Sequence, residues 1–182
     1  MRGDLVLQSR EEPMAKGQAE RLLGLCQDIL KAAGVSREEL GAIGVGIGPG
    51  NFTGIRISVS AARGLALGLS IPAVGVSAFD ALRFGASGPC ACAVDARRNQ
   101  VFLQIFDGTL AQPPALVDIE NLPPFEGPLI GVGGCSPKFP TAEAIAYLAA
   151  ERANPTTARP APLYLRPADA APARDAAPPI LP

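Results

Sequence analysis

The segment GIGPGNFTGIR, residues 46–56, is where residue types and spacing most suggest chemistry. A glycine-rich loop between a strand and a helix can present free backbone N–H groups to an anion. Three specific versions of that chemistry fail on the residues. A Walker loop ends in Gly-Lys-Ser/Thr, whereas this helix opens Thr53-Gly54-Ile55 with no lysine. A dinucleotide pattern G-x-G-x-x-G started at Gly44, Gly46 or Gly48 places Pro49, Asn51 or Thr53 where its third glycine belongs. A nucleophile elbow needs G-x-S-x-G and a base, and Asn51 has no nucleophilic oxygen. What is left is a tight turn. Pro49 presets its φ, Gly50 accepts a positive φ, and Asn51 or Thr53 caps the helix. Gly48, Pro49, Gly50, Asn51, Phe52, Thr53, Gly54 and Arg56 are read as a structural loop motif.

The remaining reactive side chains are few. The chain has 0 histidines, which removes Ser-His and Cys-His nucleophile pairs and every His-containing zinc site. Cys90 and Cys92 stand at alternate positions and should point to one face of a strand, closer in sequence than a zinc knuckle needs. With Cys26 and Cys135 they read as reduced, mostly buried thiols. Asp80, Asp95 and Asp107 have no evident acid or base partner. Asp95 reads as a turn cap beside Arg97 and Arg98, and those two as a solvated hairpin tip. The expectation is no catalytic residue, no metal site and no cofactor bound by this chain alone.

Bulk properties agree. A length of 182 residues allows about one domain, and 48% hydrophobic residues suffice for a core. Net charge is -1, so no basic excess marks a free-standing nucleic-acid binder. The uncharged run from Gly64 to Phe79 is broken by Pro72 and is too short to span a bilayer. The first residues carry Glu11 and Glu12 and no apolar stretch, so the expected location is the cytoplasm, with no membrane partner.

The elements that must position the loop follow from periodicity. Leu5 to Leu7 suggest a short strand. Ala19, Leu22, Leu23, Cys26, Ile29, Leu30 and Ala33 fall on one helical face that ends at Gly34. Ser36 and Glu39 form a capping box for one short turn. Ala42 to Ile47 reads as a buried strand, 53–69 as a helix, and 73–76 as a strand. Ser77 caps a further helix through Phe84. Residues 91–96 and 101–106 form a hairpin whose second strand alternates Val101, Leu103, Ile105 against Phe102, Gln104, Phe106. Residues 129–132 make another strand and 141–152 the last helix. The expected domain is α/β with a mixed sheet over 1–153, its second half within about 90–153. Eight of the 28 residues from Pro155 to Pro182 are proline, so 154–182 is expected as an extended Pro/Ala-rich tail.

The helix after the loop is apolar nearly all round. Between Gly54 and Gly68 its only charges are Arg56 and Arg63. Ile55, Val59, Ala62, Ala66 and Leu69 can face the sheet, which leaves Ile57, Ala61, Gly64, Leu65 and Gly68 on other sides. Such a helix must be covered twice, and small residues at 61, 64 and 68 let a second helix approach closely. The cover is either the C-terminal helix or a partner protein, and the partner is preferred.

GPGNFTGIR, with the Ala/Gly-rich helix and IPAVGVSAFDAL behind it, resembles the bacterial TsaB family, also called YeaZ. AERLLGLCQDIL, AVDARRNQVFLQIF and PLYLRP extend the resemblance from about residue 3 to residue 167. The resemblance implies the actin/Hsp70/sugar-kinase (ASKHA) fold. It implies a non-catalytic subunit of the complex that places a threonylcarbamoyl group on the adenosine beside the anticodon of ANN-reading tRNAs. The partners so implied are a TsaD-like catalytic subunit, a TsaE-like ATPase, and tRNA only through the complex, with a homodimer as an alternative pairing. Family pairing through the first helix and the post-loop helix puts Leu22, Cys26, Ile57, Ala61, Gly64, Leu65 and Gly68 at the interface.

Two departures stand out. Family members usually begin with a strand of the type Leu-Ala-Phe-Asp-Thr-Ser, and nothing before Leu5 can supply it. A late start or a truncation is expected, with an opened core and a tendency to aggregate. Gly17-Gln18 stands where relatives often have Gly-His. The competing function is an independent ASKHA-type ATPase or kinase, which would need an amino-terminal phosphate loop with an acidic residue for Mg²⁺. A metal-dependent peptidase would need histidine ligands.

Overall fold

The computed structural model describes residues 1–166. Helix α1, Gln18–Ala33, ends where Gly34 turns left-handed and returns its N–H to Leu30 and Lys31. A 3-10 turn at Arg37–Glu39 follows, with the Glu39 carboxylate accepting the Ser36 N–H at 2.8 Å. Strand β1, Ile43–Gly46, leads through the glycine loop into α2, Phe52–Leu69. Strand β2, Ala73–Val76, then pairs parallel with β1.

This two-stranded sheet is sandwiched. Ile43, Val45 and Ile47 pack on Ile55, Val59 and Ala62 of α2. The alternate positions, Gly44 and Gly46, face helix α4, Thr141–Arg152. Glycine is needed there because a Cβ on Gly44 would lie 2.7 Å from Ala149 Cβ. Helix α4 therefore covers the sheet face opposite α2. The internal cover for α2 considered from sequence, helix α4, thus sits on the opposite face of the sheet, and α1 lies against α2.

The larger sheet is built on a hairpin of β3, Cys90–Arg97, and β4, Gln100–Asp107. Strand β5, Leu110–Ala111, and β6, Ala115–Asp118, pair antiparallel with different stretches of β4. Strand β7, Leu129–Gly131, pairs parallel with β3, which makes the sheet mixed. Helix α3, Ala78–Arg83, capped by Ser77 Oγ at 3.0 Å from Asp80 N, lies on one face. There Phe79 packs with Cys90, Cys92, Phe102 and Phe106. The other face gathers Ala91, Ala93, Val101 and Leu103 under Val117 and Phe125. The alternation expected from sequence holds on both strands.

Three expectations need correction or completion. Leu5 to Leu7 form no strand: Leu5 makes one isolated bridge with Arg2 and is 64% exposed. A strand needs a neighbouring edge, and three apolar residues do not create one. Strands β5 and β6, 2 and 4 residues long, are too short to show in the periodicity. Residues 154–166 hold no helix or strand: the chain turns at 155–156, and from Pro160 to Arg166 it is docked on the fold, while 167–182 lie outside the described residues.

All four thiols are free. Burial, reinforced by neighbouring Cys90, pushes the Cys92 thiol up to about 12. Exposed Cys135 should therefore react first with iodoacetamide, and Cys90 and Cys92 only on unfolding. Folded Cys92 holds its proton more tightly than the unfolded chain does. Its stabilising contribution is whole below about pH 8.5, where an unfolded thiol is still protonated, and is lost as pH rises toward 12. Urea midpoints should fall across that window, and Cys92→Ala should flatten the fall.

Candidate functional site

The glycine loop is shaped by its turn and its cap. Gly48 and Gly50 have φ of 96° and 157°. Asn51 takes the cap position, its Oδ1 accepting from Gly54 N at 2.8 Å. The following aromatic stacks outward: the Phe52 and Tyr164 rings lie 4.6 Å apart. Arg56 lies over Phe52, its guanidinium carbon 4.0 Å from the ring centroid, and its Nε donates to the Tyr164 hydroxyl at 2.8 Å. Phe52, Thr53 and the loop share an open cavity of about 710 Å³ with the hairpin end and residues 163–166.

Two of the three carboxylates singled out from sequence are occupied structurally. Asp95 Oδ1 accepts from Arg97 N at 2.8 Å at the hairpin end, and Asp80 pairs with Arg152 at 3.0 Å. Among the described residues no group of three His, Cys, Asp or Glu side chains could hold a metal ion.

The second feature is the face of α1 and α2. No residue of α1 is buried, although one side of it is apolar. Leu22, Cys26, Ile57, Ala61 and Leu65 are half-buried, and Gly64 and Gly68 are exposed. A groove of about 390 Å³ runs between the helices, lined by Leu23, Ala61, Gly64, Leu65, Gly68 and Leu69, with Arg37 of the 3-10 turn as its one charged residue. A Cβ added at Gly64 or Gly68 would meet nothing within 4 Å. Leu67 stands 76% exposed and Leu23 48%. The structure thus gathers four of the seven sequence-picked face residues into the groove and adds Leu23, Arg37 and Leu69. Leu23 belonged to the same helical repeat as Leu22 and Cys26, so periodicity carried that signal.

Tyr164 and Arg166, which close the loop and the hairpin, were not singled out as site residues. The signal available was the Leu-Tyr-Leu-Arg run inside an otherwise Pro/Ala-rich segment.

The family model described as "TsaD: tRNA N6-adenosine threonylcarbamoyltransferase" matches residues 12–130. The chain belongs to this family. Within it, the chain is a member of the TsaB/YeaZ group. It is 40% identical over 88 residues to the "tRNA threonylcarbamoyladenosine biosynthesis protein TsaB" of Escherichia coli, a match that covers 46% of this chain and 38% of that one. An uncharacterized protein of Mycobacterium tuberculosis is 33% identical over 180 residues, covering 92% of this chain and 84% of its own. Among solved structures, a Pseudomonas aeruginosa protein "with similarity to peptidase YEAZ" superposes with a TM-score of 0.66 at 26% identity. That match covers 85% of this chain and 87% of the other. The fold is accordingly ASKHA-like α/β with a mixed sheet. No described helix is long and apolar enough to cross a membrane.

Proposed function

We propose that this TsaB/YeaZ-group chain is the non-catalytic partner subunit of the complex that transfers a threonylcarbamoyl group to the adenosine next to the anticodon of ANN-reading tRNAs. The observation that carries the reading is the half-covered α1–α2 face. A monomer gains nothing from leaving Leu23 and Leu67 in water beside a groove floored by Gly64 and Gly68. A second helical surface laid there would bury them. The occupant is a TsaD-like catalytic subunit, joined by a TsaE-like ATPase, with tRNA reached through the complex. The structural ties of Asp80 and Asp95 support a chain that contributes surface rather than catalytic groups.

Reconstitution tests this. Threonylcarbamoyl transfer to an ANN-reading tRNA should require the catalytic subunit, the ATPase and this chain together. This chain alone should neither modify tRNA nor turn over ATP. Stoichiometric ATP turnover by the purified chain would favour the independent ATPase, and full activity without the chain would end the partner reading.

A further inference from the structure

We infer that residues 160–166 form a latch that couples the tip of the β3–β4 hairpin to the first turn of α2. The inference goes beyond the partner reading and does not depend on what covers α1 and α2.

After α4 the chain reverses in a turn tied by Asn154 N to Thr157 Oγ1 at 2.9 Å. It then crosses both halves of the fold. Pro160 is buried beside β2, where a Cβ on Gly75 would lie 3.1 Å from its own Cβ. Leu163 N donates to Ile47 O, just beyond β1, at 2.8 Å. Tyr164 stacks on Phe52 and accepts from Arg56, so it grips the opening turn of α2. Leu165 packs against the cluster of Phe79, Phe102 and Phe106 in the larger sheet. Arg166 closes the far end, donating through Nη1 to Ala96 O at 3.3 Å and through Nη2 to Gln100 Oε1 at 2.7 Å.

Successive residues 164, 165 and 166 thus hold α2, the second sheet and the hairpin. The backbone contributes the single Leu163–Ile47 bond to this docking among the bonds found outside regular elements. Segments held mainly by side chains open locally, below the free energy of global unfolding. The prolines at 155, 160 and 162 favour an extended chain, which reduces the entropy lost on docking.

The hairpin tip gives the latch something to hold. Arg97, Arg98 and Asn99 have consecutive positive φ values of 63°, 53° and 60°, a left-handed run that side chains with a Cβ disfavour. Such a run persists only when its surroundings over-determine it. Here they are the Asp95–Arg97 bond, Asn99 Nδ2 on Glu120 Oε1 at 3.0 Å, and Arg166 on either side of the turn. Release of Arg166 frees the tip, and in a latch the same release slackens Tyr164 on Phe52 and Arg56. Anything that engages the hairpin tip is then felt at the amino end of α2, and the reverse.

Hydrogen exchange on the full chain, read by mass spectrometry, tests the coupling with Tyr164→Ala and Arg166→Ala. Each variant should speed exchange about tenfold or more in both the 52–57 and the 95–100 peptides, while 59–66 stays protected. The crossed effects are diagnostic, because the ring and hydroxyl of Tyr164 engage Phe52 and Arg56 while the guanidinium of Arg166 engages Ala96 and Gln100. If each variant loosens only the end it contacts, or neither end changes, the latch is refuted. Should an alanine variant exchange throughout, Tyr164→Phe and Arg166→Lys carry the same criterion in a folded chain.

Discussion

Gly64→Leu should leave the domain folded and weaken its association with a TsaD-like subunit roughly ten- to a hundredfold. Gly64 lies on the α1–α2 groove, and a Cβ there meets nothing within 4 Å, so the isolated chain has room for the side chain. Replacing glycine inside a helix also gains about 0.8 kcal/mol of propensity. The partner loses that room. Overpacking a close helix contact costs ~1–3 kcal/mol, and each ~1.4 kcal/mol is tenfold in affinity. Calorimetric titration of the variant against the catalytic subunit, with far-UV dichroism as the folding control, measures the effect. Unchanged affinity in a folded variant would move the partner surface away from this groove.

Gly44→Val should lower stability by about 3 kcal/mol, at the upper end of overpacking costs. The position lies where β1 meets α4. Its new Cβ would sit 2.7 Å from Ala149 Cβ and 3.1 Å from both Ile145 Cγ2 and the Ile145 carbonyl oxygen. The carbonyl belongs to the backbone of α4 and cannot rotate away, so helix and strand must separate. For a chain of this size, a loss of that order lowers the melting temperature by roughly 6–12 °C. Gly44→Ala combined with Ala149→Gly should cost less than the sum of the single changes, because the methyl carbons that collide are the ones exchanged. Strict additivity would show that α4 does not rest on this glycine.

Legibility in the sequence divided along the range of the forces involved. Strand 73–76 and helix 141–152 could be bounded from residues alone, and both sides of the 90–107 hairpin could be assigned. Periodicity of 2 or 3.6, Ser77 and Asn51 as caps, and Gly34 as a stop all act within a few residues of chain. The two-sided apolar character of α2 was equally local: a helix with only Arg56 and Arg63 over fifteen positions declares that it needs cover.

What provides or withholds that cover was not local. The choice of α4 for the opposite sheet face turns on Gly44 fitting beside Ala149, a contact between residues more than a hundred positions apart. Strands β5 and β6 exist because β4 offers them an edge, and Leu5 to Leu7 stay irregular for want of one. The stretch around Tyr164 reads as a proline-rich tail on composition, and it is docked because Phe52, Arg56, Ala96 and Gln100 converge on it from two halves of the fold. Caps and periods are properties of neighbours in sequence, and these residues declared them. Edges, close approaches and latches belong to neighbours in space, and they came into being only when the chain had closed on itself.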